Sequence, residues 1–383
     1  LGQRRGHASS SDFSPQALQA TVSAALSIAR FTAEDDAAGL PEAKLLALGK
    51  KADASGLDLY RPWDLSVEAG IDLARRCEAA AFAVSPEVRN SEGASVSVQQ
   101  SHFISANSLG FMGGYAASRH YISCSVIVGE GDDMQRDDWY SSQRDPALLA
   151  HPEAIGDYAA RRALARLNAR KPRTCKVPVI FEAPLAAGLI GAFVQAVSGG
   201  ALYRKSTFLL DSLGKQVFPD FVRISERPHI PGALASSPFD DDGVVTRDRE
   251  VVDGGVVQGY FLSTYSARKL GMETTGNAGG SHNLLVAPGE HDLRGLLKKM
   301  GRGLLVTELL GQGVNYVTGD YSRGAAGYWV ENGEIAYPVH EFTIAGNLKD
   351  MFRGIGAIGN DVLVRGSKQV GSVLIDRMTI AGN

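Results

Sequence analysis

Several side chains in the second half of the chain are of types that could bind a metal ion: His282, His291, His340 and Glu341. His340-Glu341 begins like H-E-x-x-H, in which two histidines on one helix face hold zinc. Position 344 is isoleucine, so the second histidine is missing. The pair also lies in or just after a predicted strand. An autonomous metallopeptidase built on these residues stays an alternative that helical spacing does not support.

Two glycine-rich loops are the other places where the chain could meet a ligand. One spans 275–283 and reads TGNAGGSHN, and the second spans 319–327 and reads GDYSRGAAG. Small residues let a ligand or another chain approach the backbone closely, where N–H groups can bind it. A structural turn between strands explains the first loop equally well, so both interpretations stay open.

Signatures of nucleotide binding and of serine hydrolases are not supported. Gly354–Gly359 fits G-x-G-x-x-G, but a dinucleotide site needs a strand before the motif and a helix after it. Here the predicted order is reversed, with a helix over Asn347–Arg353 and a strand over Val362–Val364. We therefore predict a turn. The chain has no G-x-S-x-G nucleophile elbow.

Composition limits the class of protein. The chain has 383 residues and a net charge of −3, which argues against a large basic surface and against direct nucleic-acid binding. Its three cysteines, Cys77, Cys124 and Cys175, are far apart and show neither a disulfide nor a metal pattern. A reducing compartment, most simply the cytoplasm, fits this usage. No signal peptide or transmembrane stretch is recognisable, so no membrane association is expected.

The elements that must position these residues fall into two halves. In the first half, helices are predicted from Pro15, over Pro41–Leu48, after Ser66 and from Pro152, where serine caps and helix-starting prolines stand. The first of them should carry an apolar face made of Leu18, Val22, Leu26 and Ile28. From Ser95, alternating polar and apolar residues predict an antiparallel meander of three or four strands.

The second half is predicted to be β-rich. Strands are expected over Thr207–Leu210, Val217–Phe221, Val244–Thr246, Val251–Phe261, Leu284–Val286 and Val373–Ile380, and helices over Leu293–Met300 and Leu304–Leu310. Asn332-Gly333 between two alternating runs predicts a type I′ hairpin. The fold class is therefore α+β. An N-terminal α/β domain with an antiparallel sheet and helices is expected over 1–171, and a β-rich C-terminal domain over 172–383, because the basic stretch Arg170–Arg173 contains a helix-stopping proline.

One apolar helix stands apart from the others and is predicted over Leu185–Gly200. It contains no charged residue and only two side chains that form hydrogen bonds, Gln195 and Ser198. A helix that is apolar on nearly all sides belongs in a core. It is too short and too rich in glycine to span a membrane. Gly199-Gly200 is expected to end it.

Long segments of the chain resemble the TldD/PmbA peptidase family, and more narrowly its PmbA (TldE) branch. In the second half these are YRKSTFLLDSLGKQ (203–216), STYSARKLG (263–271), TGNAGGSHN (275–283), GDYSRGAAGYWVENGEIAYPV (319–339) and IAGNLKDMFR (344–353). In the first half the similarity runs from GHASSSDFSPQAL (6–18) to SVIVGEGDDMQRD (125–137). Family members normally start with a further helix and strands, so the start of the N-terminal domain is expected to be missing here.

The resemblance implies a cytoplasmic bacterial or archaeal protein, in a family once described as modulators of DNA gyrase. PmbA-type and TldD-type chains of this family pair as a heterodimer that encloses a proteolytic chamber. The complex degrades or matures small unstructured peptides, among them the leaders of peptide antibiotics and some antitoxins. No direct binding of nucleic acid is expected.

The family's catalytic residues have no counterpart in this sequence. TldD-type chains hold zinc with a helix that reads H-E-x-x-x-H and with a cysteine near the C-terminus. The matching positions here are Gly191, Ala192 and Ala196, and Val362–Ser372 contains no cysteine. The resemblance therefore implies no catalytic residue, no metal site and no cofactor in this chain. Zinc is expected in its TldD-type partner.

The sequence thus predicts a chamber-forming, peptide-binding subunit that is inactive alone. Loop composition selects six candidates for contact with a peptide or a partner: Asn277, Gly279, Gly280, His282, Tyr321 and Arg323. A homodimer of the isolated chain is compatible with the sequence. A non-enzymatic, homodimeric peptide-binding protein is the remaining alternative.

Overall fold

The predicted α+β class is confirmed by a computed structural model, which describes residues 1–383 apart from the side chain of Asp132. The N-terminal half contains α1 (Pro15–Phe31), α2 (Val67–Val84), β1 (Val88–Ala106), β2 (Met112–Val128), β3 (Gln135–Gln143) and α3 (Pro152–Leu164). None of the described helices combines the length and apolarity that crossing a bilayer requires.

The C-terminal half contains most of the strands. In chain order its elements are β4 (Cys175–Phe181), α4 (Ala183–Ala196), α5 (Gly199–Tyr203), β5 (Ile224–Glu226), β6 (Arg249–Asp253), β7 (Val256–Val257), α6 (Thr264–Leu270), β8 (Leu284–Val286), α7 (Leu293–Met300), β9 (Gly303–Leu310), β10 (Asp320–Glu331), β11 (Glu334–Asn347), α8 (Leu348–Arg353), β12 (Ile355–Ile358), β13 (Lys368–Gln369) and β14 (Val373–Ala381).

The N-terminal half is built on the predicted antiparallel meander, which has three strands in the order β1-β2-β3. The helices predicted after Ser66 and from Pro152 are confirmed as α2 and α3, and the Ser66 hydroxyl caps α2 by accepting from the Ala69 N–H. The two helices approach closely at Gly156, where a Cβ would overlap the carbonyl oxygen of Cys77. Their buried faces pack on the sheet and form a separate small core.

The first helix begins where it was predicted, but its apolar face is not covered. Ser14 caps α1 through the Ala17 N–H, and Pro15 is its first residue. The four residues of the expected face are 40–69% exposed: Leu18, Val22, Leu26 and Ile28. Ala29 is the buried residue of this helix, so α1 contributes little to the core.

Two sheets form the C-terminal half. The larger has the order β11-β10-β9-β4-β14-β12, and β11 also pairs with β14, so it closes into a barrel-like shape. The smaller has the order β13-β8-β5-β6-β7. The predicted hairpin joins β10 to β11, and both turn residues have positive φ, 53° at Asn332 and 76° at Gly333, as a type I′ turn requires.

Several element predictions are wrong, one of them, Pro41–Leu48, in the N-terminal half and the others in the C-terminal half. Leu304–Leu310 is strand β9 rather than a helix. It pairs with β4 and β10, its first residues are buried on both faces, and such a short apolar run has no periodicity that distinguishes a strand from a helix. The predicted turn at Gly354–Gly359 is largely strand β12. Only a short 3-10 turn, Ala43–Leu45, lies within Pro41–Leu48. Three further ranges that were predicted as strands are loops: Thr207–Leu210, Val217–Phe221 and Val362–Val364.

Other strand predictions hold in part. Val244–Thr246 makes only isolated bridges, and Val251–Phe261 contains the short pair β6 and β7. Leu284–Val286 and Val373–Ile380 are confirmed as β8 and β14, and the helix over Leu293–Met300 is confirmed as α7.

The apolar helix lies in the main core but is shorter than predicted. Helix α4 ends at Ala196, and Gly199 starts the separate helix α5 instead of ending the first. The reason is tertiary: the Gly199 N–H donates to the carbonyl of Phe261 (2.8 Å), which takes it out of the helical ladder. On the opposite side of α4, Phe193 packs edge-on against Phe218 at a centroid distance of 5.1 Å.

Buried ion pairs join the two halves next to α4. Arg162 on α3 donates from both terminal nitrogens to Glu182, the residue before α4, at 2.8 and 3.1 Å. Arg166, one turn later, pairs with Glu308 on β9, and Asp137 on β3 lies within 4 Å of both arginines. Burial lowers the pKa of Arg162, but the hydrogen bond and charge of Glu182 outweigh it, so the net shift is upward.

Replacing Arg162 with methionine should lower the free energy of unfolding by about 3 kcal/mol, because Glu182 would stay buried without its partner. The matched control is Arg161→Met, since the Arg161 side chain is 65% exposed and pairs only with Asp157 on the same helix. That variant should change stability by less than about 0.5 kcal/mol. Urea denaturation followed by circular dichroism measures both. Equal losses would contradict a special role of the buried pair.

Candidate functional site

A cavity of about 650 Å³ lies between the two halves, next to the loop that contains four of the predicted residues. We call it the central cavity. One wall is the β1–β2 sheet with Gln99, Ser101 and Arg119. The opposite wall is formed by the loops over 234–241 and 278–282. The first glycine-rich loop is therefore part of a concave surface and not only a turn.

The polar side chains of this loop hold its own shape. Asn277 is 5% exposed and donates from Nδ2 to Glu226 (2.8 Å), while its Oδ1 accepts from Arg249 (3.1 Å). The backbone N–H of His282 donates to the same Glu226 oxygen (2.7 Å), and His282 Nε2 donates to the carbonyl of Gly276 (2.9 Å). Asn277 and His282 thus position the loop, and their hydrogen-bonding atoms point into it.

The two glycines between them form the edge that faces the cavity. Gly279 and Gly280 are exposed and have φ of +92° and +123°, conformations that residues with a Cβ rarely adopt. A Cβ on Gly279 would also overlap the carboxylate of Asp241. The loop therefore presents bare backbone to whatever enters the central cavity.

A buried carboxylate under the loop was missed in the sequence. Asp240 is 3% exposed and accepts hydrogen bonds from the backbone N–H groups of Ala278 (2.9 Å) and Val244 (2.9 Å). Burial raises the pKa of Asp240 to about 7, although these hydrogen bonds oppose the shift. Burial also raises the pKa of Asp241. The run of three aspartates at 240–242 was the available signal.

Arg144 closes the floor of the central cavity and joins its two walls. It is 8% exposed and donates to the carbonyl oxygens of Leu59 and Ser118 in the N-terminal half. It also donates to those of Ala233 (3.0 Å) and Leu234 (2.9 Å) in the C-terminal half. Its positive charge is satisfied by carbonyl dipoles, and burial lowers its pKa.

The other two candidates lie apart from the central cavity. Tyr321 and Arg323 are on β10 in the barrel. Tyr321 is 4% exposed, its ring packs against Phe181 at 6.3 Å, and burial raises its pKa to about 12. Arg323 makes one long hydrogen bond, to the carbonyl of Leu309 (3.5 Å). Four of the six predicted contact residues therefore come together, and these two do not join them.

A second, smaller pocket of about 330 Å³ opens beside α4, and we call it the α4 pocket. Its walls include Gly188 on the helix and Arg365 and Lys368 from the loop before β14. A Cβ on Gly191 would lie 3.7 Å from Cε of Lys368. Ala192 and Ala196 face the core, where they are 5% and 0% exposed.

Zinc does not fit these helix positions. Glycine and alanine side chains carry no atom that can ligate a metal, and Ala196 is surrounded by core residues. Among the described residues, no group of three or more His, Cys, Asp or Glu side chains is placed to hold a metal ion. The alternative ligands are also dispersed: His282 is used inside its loop, His340 contacts Gln135 (3.3 Å), and His291 is exposed before α7.

Comparison with known families decides the classification. The sequence-family model of the PmbA/TldA metallopeptidase C-terminal domain matches residues 174–382, and the family model of the PmbA/TldA metallopeptidase central domain matches residues 60–167. The chain belongs to the PmbA/TldD family. It is 51% identical over 379 residues to "Metalloprotease PmbA" of Escherichia coli, covering 99% of this chain and 83% of that protein. It is 48% identical over 384 residues to the PmbA homolog of Haemophilus influenzae, covering 100% and 84%.

Solved structures show the same fold. A protein of Bacteroides thetaiotaomicron described as a modulator of DNA gyrase is 28% identical with a TM-score of 0.91, and the match covers 100% of this chain and 87% of that one. A similarly described protein of Thermotoga maritima is 31% identical with a TM-score of 0.85, covering 95% and 83%. TldE of Thermococcus kodakarensis is 22% identical with a TM-score of 0.81, covering 100% and 88%, a likeness that shows the fold alone.

Replacing Asn277 with alanine should destabilise the glycine-rich loop by about 2 kcal/mol, because Glu226 and Arg249 would each lose a buried hydrogen bond. Ser281→Ala is the matched control in the same loop and should cost less than about 0.5 kcal/mol. Hydrogen exchange of the loop amides measures both effects locally. Unchanged protection in the Asn277 variant would show that the loop does not depend on this side chain.

Proposed function

We propose that this chain is the non-catalytic, PmbA/TldE-type subunit of a heterodimeric zinc metalloprotease whose TldD-type partner holds the metal. One observation carries the proposal: the helix expected to bear H-E-x-x-x-H presents Gly191, Ala192 and Ala196 instead. Without ligands or a general base, the chain cannot activate water at this helix.

The surroundings of α4 support the same reading. In the α4 pocket the side chain of Lys368 passes Gly191, with Arg365 close by. Two positively charged groups oppose the binding of a divalent cation at the same place. The pocket therefore disfavours zinc through its charge as well as through its lack of ligands.

The proposed task of the subunit is to complete the chamber and to hold the peptide. An extended peptide can add to a free sheet edge through backbone hydrogen bonds. Strand β13 is such an edge, and it lies beside α4. The bare backbone of Gly279 and Gly280 offers a second place of close approach, in a loop held by Asn277 and His282. Short unstructured peptides, such as peptide-antibiotic leaders and antitoxins, are the proposed substrates, in the cytoplasm.

Cleavage of an unstructured peptide should require both subunits. The assay compares this chain alone, a TldD-type partner alone and the two mixed, with product detection by mass spectrometry. We expect no cleavage by this chain and efficient, chelator-sensitive cleavage by the mixture. Chelator-sensitive cleavage by this chain alone would support an autonomous metallopeptidase. A stable homodimer that neither binds nor activates the partner would support a peptide-binding protein without enzymatic function.

Restoring the helix motif should not restore activity. The variant Gly191→His/Ala192→Glu/Ala196→His supplies two histidines and the glutamate, but no cysteine stands in Val362–Ser372 to complete the ligands. Ala196 is also fully buried, so a histidine there would overpack the core. We expect less than one zinc per chain and no peptidase activity from the folded variant. Robust activity would show that the third ligand was misjudged.

A further inference from the structure

Two basic side chains in the α4 pocket have no acidic partner within ion-pair distance among the described residues. The guanidinium of Arg365 lies over the rings of Trp139 and Tyr140, 3.6 and 4.0 Å from their centroids. Its Nε and Nη2 are buried and without a hydrogen-bond acceptor. Lys368 forms no ion pair in the described structure. The charge of Asp138 raises the pKa of Arg365 slightly, but the two side chains make no ion pair within 4 Å.

Other arginines that are withdrawn from solvent have acceptors for their hydrogen bonds. Arg162 meets Glu182 at 2.8 Å, Arg249 meets Glu226 at 2.6 Å, and Arg144 donates to four carbonyl oxygens. Arg365 and Lys368 are half-buried, and burial lowers the pKa of both because it penalises the charged form. An anion that enters the α4 pocket would reduce this cost through its negative charge.

The pocket has room for a small anionic group and adds favourable electrostatics. It is lined by residues of the first two turns of α4, including Ala183 and Gly188, where the positive end of the helix dipole lies. A Cβ on Gly188 would meet no heavy atom within 4 Å, so the helix surface is open there. Ser367 and Tyr140 supply hydroxyl groups on the other walls.

The pocket also lies beside an edge strand to which a peptide can add. Lys368 is the first residue of β13, the edge strand of the smaller sheet. Arg119, which lines the central cavity, donates to the carbonyl oxygen of Arg365 (3.4 Å), so residues of the two concave surfaces are in contact. A chain extended along β13 can therefore reach the α4 pocket with one of its carboxylates.

We propose that the α4 pocket binds a carboxylate of the peptide substrate, held by Lys368 and Arg365 beside Gly191. The inference rests on the proposed peptide-binding function and adds the chemistry of one subsite. The carboxylate comes either from the C-terminus of the peptide or from an aspartate or glutamate side chain. In this arrangement, the helix that would hold zinc in the partner recognises negative charge in this chain.

Binding of three matched peptides to the full chain tests the subsite. The probes are acetyl-tetraalanine with a free C-terminal carboxylate, its C-terminal amide, and an amide that ends in aspartate. Isothermal titration calorimetry at constant ionic strength gives each affinity. For the unchanged chain, the free acid should bind about tenfold more tightly than the neutral amide, because charge-assisted hydrogen bonds are the strong ones. Equal affinities, including no binding of either, would overturn the proposal.

Variants assign the effect to the pocket. Lys368→Met should abolish the preference for the acid, whereas Lys368→Arg should keep it. Lys349→Met removes an exposed lysine on α8 and should also keep the preference. Arg365→Met repeats the test on the second cation, with a thermal melt to verify folding. A Lys368→Met chain that still prefers the acid would overturn the proposal.

The aspartate probe distinguishes the two sources of the carboxylate. If it binds like the free acid, the pocket accepts a side-chain carboxylate; if it binds like the neutral amide, the pocket requires the peptide terminus. Because no partner subunit is present, this measurement is independent of cleavage. If the mixed subunits cleave peptides but this chain binds acid and amide equally, only the proposed carboxylate subsite is wrong. If this chain prefers the acid but the mixed subunits cleave nothing, only the proposed heterodimeric protease is wrong.

Discussion

The need to compensate buried positive charge governs how this molecule is put together. Arg162 and Arg166 reach from α3 towards the barrel, and they can leave water only because Glu182 and Glu308 meet them there. Glu182 is the residue before α4, so this ion pair docks the N-terminal half at the start of the central helix. Arg144 also joins the two halves, by donating hydrogen bonds to carbonyl oxygens of both. The central cavity and the α4 pocket are both lined by residues of the two halves that these contacts join.

Much of the fold follows from local signals, and its failures have physical causes. The start of α2 at Ser66, the meander and the Asn332-Gly333 hairpin are set by residues within a few positions of each other, so the sequence predicts them. Strand β9 was predicted as a helix because its first residues are buried on both faces, by the main core and by α7, which erases the alternation that marks a strand. The end of α4 depends on Phe261, a residue far along the chain, and no local pattern contains that information.

The site was predictable in outline and not in detail. Glycine density located the loop that borders the central cavity, but it could not show that Asn277 and His282 turn inward to hold Glu226 and Gly276. Asp240 was missed because a run of aspartates is typical of a solvated turn. In the fold, however, three backbone N–H groups donate to the Asp240 carboxylate. The approach of Lys368 to Gly191 joins residues from distant parts of the chain. Only the fold brings them together. It places cationic side chains beside α4, a helix that contains no charged residue itself.

In the proposed division of labour, this chain binds peptide and its partner performs hydrolysis, and Lys368 and Arg365 lie near the helix position where a TldD-type chain would hold zinc. The zinc content of the assembled complex tests this division most directly. Native mass spectrometry of the chain co-purified with a TldD-type protein reports the subunit composition and the metal count in one measurement. The account predicts a heterodimer with one zinc, which stays with the TldD-type chain when the subunits are separated. Two zincs per heterodimer, or zinc retained by this chain after separation, would contradict it.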